Sequence, residues 1–119
     1  MEIESVATAV FGVAEAAVVG VSNAIKGTVP VAFIALHAGA DSATVQASLR
    51  ASVEKAIGGI ARLERVYVLP SMPKTRSGKI MRRLLREAAE TGRVRGDISG
   101  LEDPGICDTL LEAVRRPAS

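Results

Sequence analysis

Residues 69–83 read LPSMPKTRSGKIMRR, and this stretch joins a strand signal, a basic loop and a helix signal. The run Arg65 to Leu69 favours a β-strand, and Pro70 ends it. The loop that follows is stiffened by its prolines, because proline fixes the φ angle. Six of the 15 basic residues lie within residues 72–86, together with no acidic residue. A locally positive, restricted loop of this kind suits the binding of one anionic ligand.

Lys79 is predicted to lie at the first turn of the helix after this loop. Apolar periodicity predicts that helix from about Lys79 to Glu90, and Ser77 can act as its N-cap. Gly78 permits a backbone conformation that residues with a Cβ avoid. A lysine carries a compact charge and three N–H donors on a long stem. Lys79 could therefore project from the domain and neutralise a carboxylate and a phosphate oxygen together.

Five further segments carry the pattern of a helix or a strand. They are a helix over 1–11, strands over 14–21 and 29–37, a helix from Asp41 or Ser42 to 57, and a helix that starts at Asp103-Pro104. The predicted order is thus α-β-β-α-β-α-α. This order indicates a small α+β domain with a three-stranded sheet flanked by helices.

Composition limits the classes of function that fit the chain. The 119 residues are enough for one small domain, and 48% are apolar, but only 3% are aromatic. Proteins that bind single-stranded nucleic acid stack bases on aromatic side chains. Outside the basic loop, nine basic residues are outnumbered by 13 acidic ones. Both observations argue against a nucleic-acid partner.

Cysteine usage and hydropathy predict a cytoplasmic protein without a membrane partner. Cys107 is the single cysteine, so an internal disulfide is impossible. No signal-peptide pattern is present, nor an apolar run of about 18 residues. His37 has no His, Cys or acidic residue at ligand spacing, so no metal site is predicted. The Ser77-Gly78-Lys79-Ile80 stretch is not a P-loop, because the upstream glycine is missing and an isoleucine replaces the Ser/Thr.

The sequence Pro-Lys-Thr-Arg-Ser-Gly-Lys at 73–79 resembles the C-terminal motif of the adenylate-forming synthetases. This family includes acyl-CoA synthetases, peptide-synthetase adenylation domains and luciferases. Residues 1–5 resemble the helix after the family's interdomain hinge, and residues 13–20 resemble its next strand. The Lys26-Gly27 pair and the tail with Asp103-Pro104 are similar to acetyl- and propionyl-CoA synthetases. The resemblance implies that residues 1–119 are a C-terminal lid domain, without the N-terminal adenylation domain and hinge.

That resemblance implies a two-step reaction with ATP, supplied with Mg²⁺, and CoA as substrates. A short-chain carboxylate attacks the α-phosphate of ATP, and the CoA thiol then displaces AMP. In the family the motif lysine, here Lys79, bridges carboxylate and nucleotide in the first step, where a fixed cation relieves the repulsion of two anions. Arg76, Lys74 and Gly78 are further candidates for nucleotide contacts. The domain then rotates, so Lys79 is expected to matter little for thioester formation.

The resemblance also implies partners and a modification. The resemblance implies that the chain's own N-terminal adenylation domain holds the ATP and acid pockets. Residues 1–119 therefore do not decide between acetate, propionate and slightly longer acids as the substrate. The pattern Pro73-x4-Gly78-Lys79 resembles the one that protein acetyltransferases recognise on these enzymes. Acetylation of Lys79, which a deacetylase could reverse, would remove the charge and abolish adenylation.

One candidate CoA contact departs from the family pattern. In acetyl-CoA synthetases a basic residue at the place of Glu54 touches the CoA 3′-phosphate, whereas this residue is acidic. Lys55 is adjacent but points about 100° away on a helix. Either Lys55 or another base takes this role, or CoA lies differently.

Two other classes of protein stay open from the sequence. One is a free-standing module that binds nucleic acid through residues 74–86, for which a salt-dependent gel shift would be diagnostic. The other is a regulatory or interaction domain without catalysis. An adenylation domain encoded in frame upstream would favour the synthetase instead.

Overall fold

The computed structural model describes residues 2–25, 27–58 and 63–115. Within these ranges the elements are α1 (Glu2–Thr8), β1 (Val13–Asn23), β2 (Gly27–Leu36), α2 (Ser42–Ile57), β3 (Arg65–Val68), α3 (Arg82–Thr91) and α4 (Ile106–Arg115). The predicted order and the three-stranded sheet flanked by helices are confirmed. Lys26, used above in the comparison with short-chain synthetases, lies outside the described residues.

Strand β2 is the centre of the sheet, and β1 and β3 are its neighbours. β1 and β2 form an antiparallel hairpin, whereas β3 runs parallel to β2 and is reached through α2. Pro30 is tolerated in this central strand because pairing with β3 begins only at Val31. The Pro30 carbonyl accepts a hydrogen bond from the Glu64 N–H at 2.8 Å. Because β1 pairs only with β2 in this sheet, it is an edge strand. The candidate functional site lies beside it.

Each face of the sheet has its own core, because alternate residues of β1 and β2 point to opposite sides. The core under α1 and α2 includes Ala7, Ala16, Val18, Ile34, Val45, Leu49 and Val53. The core under α3 and α4 includes Ala17, Val19, Phe33, Tyr67, Leu84, Leu85, Leu101 and Leu110. The domain thus has helices on both faces of one short sheet.

The start of α2 follows the predicted capping pattern. Asp41 has extended backbone angles, and its Oδ2 accepts hydrogen bonds from the Thr44 N–H at 3.0 Å and the Thr44 hydroxyl at 2.6 Å. These bonds hold the pKa of the Asp41 carboxyl below its ordinary value. Gly92 ends α3 in the left-handed conformation, with a φ of 70°, and its N–H donates to the Ala88 carbonyl.

The first and last helices are shorter than predicted. α1 ends at Thr8 and does not reach Phe11, which is 96% exposed. α4 starts at Ile106 because its N–H and that of Cys107 bond to carbonyls three residues back, at 3.1 and 3.2 Å. Such a tighter turn precedes the α-helix proper. No helix in the described ranges combines the length and apolar character that a bilayer crossing requires.

Candidate functional site

Residues 73–81 form a tight two-stranded turn, here named the basic hairpin. The Met81 N–H donates to the Pro73 carbonyl at 2.8 Å and closes its open end. Further in, the Thr75 N–H donates to the Lys79 carbonyl at 2.8 Å. Lys74 and Ile80 pair as an antiparallel bridge between these bonds. Backbone pairing therefore holds Lys79 in the second strand of the hairpin, next to its turn.

The turn of the basic hairpin is held by both backbone and side-chain bonds. The Gly78 N–H donates to the Thr75 carbonyl at 2.9 Å, and Gly78 has a φ of 92°. Such positive φ angles are readily adopted by glycine alone. The Thr75 hydroxyl accepts the Lys79 N–H at 3.1 Å. Thr75 thus fixes the backbone at the residue that carries the candidate amine.

The predicted helical position of Lys79 is wrong. α3 begins at Arg82, its N-cap position is Met81, and no side chain caps it. Ser77 is not a cap either, since its Oγ lies 2.9 Å from the Thr75 Oγ1. The hairpin prevails over helical propensity because the Lys79 N–H and carbonyl are both used in pairing across the turn. Lys79 is presented by a hairpin rather than by a helix N-terminus.

Two ion pairs hold the base of the basic hairpin to the rest of the domain. Lys74 in its first strand pairs with Glu15 of β1. Arg82, just after the hairpin, pairs with Glu4 of α1, whose carboxylate also accepts the Val18 N–H at 3.0 Å. Burial raises the pKa of Glu4, but hydrogen bonds from Arg82 and Val18 outweigh it, so that this pKa lies below its ordinary value. The Lys74–Glu15 pair thus joins the hairpin to β1, and the Arg82–Glu4 pair joins the residue after the hairpin to α1.

The segment after α3 pairs with the first strand of the basic hairpin, so that a third short extended stretch lies beside the hairpin's two strands. Thr75 pairs with Leu101 as an antiparallel bridge, and the Glu102 N–H donates to the Lys74 carbonyl at 2.9 Å. Leu101 is 1% exposed within the core under α3 and α4. The tail therefore braces the first strand of the hairpin from the side.

The structure brings together four of the predicted site residues and separates the fifth. Lys74, Arg76, Gly78 and Lys79 share the hairpin; Arg76 and Lys79 are exposed, and neither forms an ion pair with another described residue. Lys55 lies instead in the last turn of α2.

The surroundings of Lys55 are apolar. A cavity of about 470 Å³ between α1 and α2 is lined by Lys55, Val6, Ala9, Val10, Ser52 and Ala56. Glu54 is exposed beside it on the same helix. No group of three or more His, Cys, Asp or Glu among the described residues could hold a metal ion.

The carboxylates of Glu4 and Glu15 are functional candidates that the sequence interpretation missed. Glu15 is the one charged residue in the run 13–21, VAEAAVVGV, and a carboxylate in such a strand requires a cationic partner. That signal could have pointed to Lys74. Because Lys74 and Arg82 are paired with carboxylates, the stretch 74–86 presents less free positive charge than its sequence suggests.

The comparison with family models shows the family of the chain. The model for the AMP-binding enzyme C-terminal domain matches residues 2–79, ending at Lys79. Because this match covers more than half of the chain, the chain belongs to the AMP-binding enzyme C-terminal domain family.

Individual relatives place this domain among acyl-CoA synthetases. The acetyl-coenzyme A synthetase of Pyrobaculum arsenaticum is 50% identical over 116 residues, covering 97% of this chain and 17% of that protein. The one from Deinococcus radiodurans is 47% identical over 110 residues, covering 92% and 17%. The chain thus spans about 17% of the length of these curated relatives.

Solved structures agree with this fold. A Brucella canis acyl-CoA synthetase matches with a TM-score of 0.68 and 34% identity, over 73% of this chain and 16% of that one. An amide bond synthetase from Marinactinospora thermotolerans matches with a TM-score of 0.64 and 33% identity, over 71% and 17%. The same domain fold therefore occurs in both an acyl-CoA synthetase and an amide bond synthetase.

Proposed function

We propose that this chain is the lid domain of an AMP-forming short-chain acyl-CoA synthetase and supplies Lys79 for acyl-adenylate formation. The observation that carries the proposal is an exposed lysine, without an ion-pair partner among the described residues, on a hairpin whose base is held by two ion pairs. A long side chain on a fixed base can reach another domain while keeping its direction. That combination suits a residue that must enter and leave a site on a partner domain.

In the first step a carboxylate oxygen forms a bond to the α-phosphorus of ATP, which is bound with Mg²⁺. The bond from that phosphorus to the bridging oxygen breaks, and pyrophosphate leaves. Two anions must approach in line, so a fixed ammonium between them lowers their repulsion and stabilises the charge of the transition state. Holding the reactants in line adds an entropic contribution. Lys79 is assigned this role.

The neighbouring hairpin residues have supporting roles in the proposal. Arg76 is exposed at the turn and is the second cation available to a phosphate. Gly78 lets the turn close and leaves the space beside it open, since an added Cβ would meet nothing within 4 Å. Lys74 was predicted to contact the nucleotide, but its ion pair with Glu15 competes with that contact.

In the second step the CoA sulfur bonds to the acyl carbon, and AMP leaves with the carboxylate oxygen. The lid rotates on its own N-terminal adenylation domain between the steps and withdraws Lys79. Lys55, at the exposed end of α2, is the candidate contact for a CoA phosphate in the rotated position. The cytoplasm is the expected compartment.

The tail supports the short-chain branch. The family match ends at Lys79, but the acetyl-coenzyme A synthetases align over up to 97% of the chain and so include most of the tail. We propose acetate or propionate as the acid.

Acetylation of Lys79 is proposed as a switch on this reaction. The amine is exposed, so an acetyltransferase could form an amide on it and remove its charge, and a deacetylase could restore it. Mass spectrometry of protein from the native host should detect the mark. Full adenylation activity at high occupancy would contradict this switch.

The proposal is tested in a chimaera in which this chain replaces the matching part of the Deinococcus radiodurans synthetase. The unmodified chimaera should catalyse acetate-dependent exchange of pyrophosphate into ATP. Lys79→Ala should lower the exchange by about 10²–10³-fold. Arg86→Ala, an exposed cation of α3, is the matched control and should exchange normally. A folded chimaera without exchange, or an active Lys79→Ala variant, would contradict the proposal.

A further inference from the structure

Glu15 is a charged residue in an otherwise apolar stretch of the edge strand. A β-bulge interrupts the pairing of β1 with β2 between Val13 and Glu15. Val13 belongs to the core under α1 and α2, whereas Ala17, two residues after Glu15, belongs to the core under α3 and α4. Bulges commonly redirect side chains in this way. The bulge allows Glu15 to leave the face of Val13 and meet the basic hairpin.

The partner of Glu15 is Lys74, five residues before Lys79 in the sequence. Their side chains are 31% and 33% exposed, so the pair is partly shielded from water. Lys74 pairs with Ile80 across the hairpin. Lys79 directly precedes Ile80 and lies on the side of the turn. The position of Lys74 is therefore transmitted through backbone pairing to the backbone of Lys79.

We propose that Glu15 is a positioning residue for adenylate formation, acting on Lys79 through Lys74 and the basic hairpin. The inference rests on the proposed function of Lys79. It assigns Lys74 to holding the hairpin instead of binding the nucleotide. Glu15 itself touches no reactant, and its carboxylate fixes the angle at which the hairpin leaves the sheet edge.

Loss of this pair should affect one half-reaction selectively. A single partly exposed ion pair contributes little to overall stability, and the hairpin keeps its Met81–Pro73 and Glu102–Lys74 backbone bonds and the neighbouring Arg82–Glu4 pair. The hairpin should therefore stay folded but take a wider range of orientations. Adenylate formation is sensitive to such a change because displacement of a reacting group by about 1 Å can cost about 10²-fold in rate.

The experiment compares Glu15→Gln with Glu90→Gln in the chimaera described above. Glu90 is the matched control, because it is another carboxylate that contacts β1, where it accepts the Ser22 N–H at 2.8 Å, and it lies outside the hairpin. Glu15→Gln should lower pyrophosphate exchange about 10- to 100-fold and leave the conversion of supplied acetyl-AMP and CoA to thioester unchanged. Glu90→Gln should change neither. Equal loss of both half-reactions, which a folding defect would cause, or no loss, would overturn the proposal.

A charge exchange separates positioning from nucleotide binding. In the double variant Glu15→Lys, Lys74→Glu the pair is restored with opposite polarity, so exchange should recover relative to either single variant. If Lys74 instead contacts a phosphate, the double variant stays inactive and the proposal is overturned. Lys79→Ala is assayed in parallel: its loss of exchange supports the proposed function even when the Glu15 variants behave normally.

Discussion

Replacing Gly78 by alanine tests whether the shape of the turn matters separately from overall stability. Gly78 has a φ of 92°, and an added Cβ would meet nothing within 4 Å, so backbone strain is the main cost. Left-handed backbone costs an L-residue roughly 1–2 kcal/mol. If this cost falls on the hairpin, the equilibrium constant between the correct turn and distorted turns decreases about 5- to 30-fold. Acetate-dependent pyrophosphate exchange should decrease by up to the same factor.

Gly39→Ala is the matched control for this strain. Gly39 lies between β2 and α2, has a φ of 83°, and also has nothing within 4 Å of an added Cβ. Urea unfolding should show in both variants a loss of stability no larger than this strain, because the φ angles of the two glycines are similar. Exchange should stay normal in Gly39→Ala and decrease in Gly78→Ala. Equal exchange in the two variants would refute the reasoning that the turn orients Lys79.

Three further predictions concern residues around the hairpin and core. Glu4→Gln should lower the free energy of unfolding at neutral pH. The pKa of Glu4 lies below its ordinary 4.5 in the folded protein. The stabilisation that the Glu4 carboxylate provides is therefore present above pH 4.5 and is lost as the pH falls through the folded pKa. Urea titrations of the two proteins should therefore converge at acidic pH, and a gap that persists there would argue against the Arg82 pairing. Leu101→Ala should cost about 2–5 kcal/mol, because the side chain is 1% exposed, and an unchanged urea midpoint would exclude Leu101 as an anchor of the tail. Burial, with a smaller effect of Asp108, raises the pKa of the Cys107 thiol, so iodoacetamide should label it only on unfolding; rapid labelling of the folded chain would contradict this.

Much of the fold was predictable because its signals are local. Asp41 with the apolar periodicity after it predicts α2, and alternating or continuous apolar runs predict all three strands. The position of Lys79 was not predictable in this way, since it depends on pairing between Thr75 and Lys79 and on the contact of Leu101 with Thr75. The latter contact joins residues 26 positions apart in the sequence. Pairing across the turn, braced by this distant contact, overrides the helical propensity of residues 79–81.

The candidate site was predictable as a group of neighbouring residues, but the contacts that hold it in place were not. The motif at 73–79 identified Lys79, Arg76 and Gly78 as neighbours on one loop. The anchoring carboxylates Glu4 and Glu15 come from α1 and β1, far away in the sequence, and only the tertiary fold brings them to the hairpin. This supports an interpretation in which the motif supplies the cation and the sheet edge fixes its direction.

The most direct test of the central claim compares the two half-reactions of the Lys79→Ala chimaera. Adenylate formation from acetate and ATP should decrease by about 10²–10³-fold. Conversion of supplied acetyl-AMP and CoA to acetyl-CoA should proceed at the unmodified rate, because the proposed rotation withdraws Lys79 before this step. A parallel loss of both half-reactions, or normal adenylation without the amine, would contradict the role assigned to Lys79.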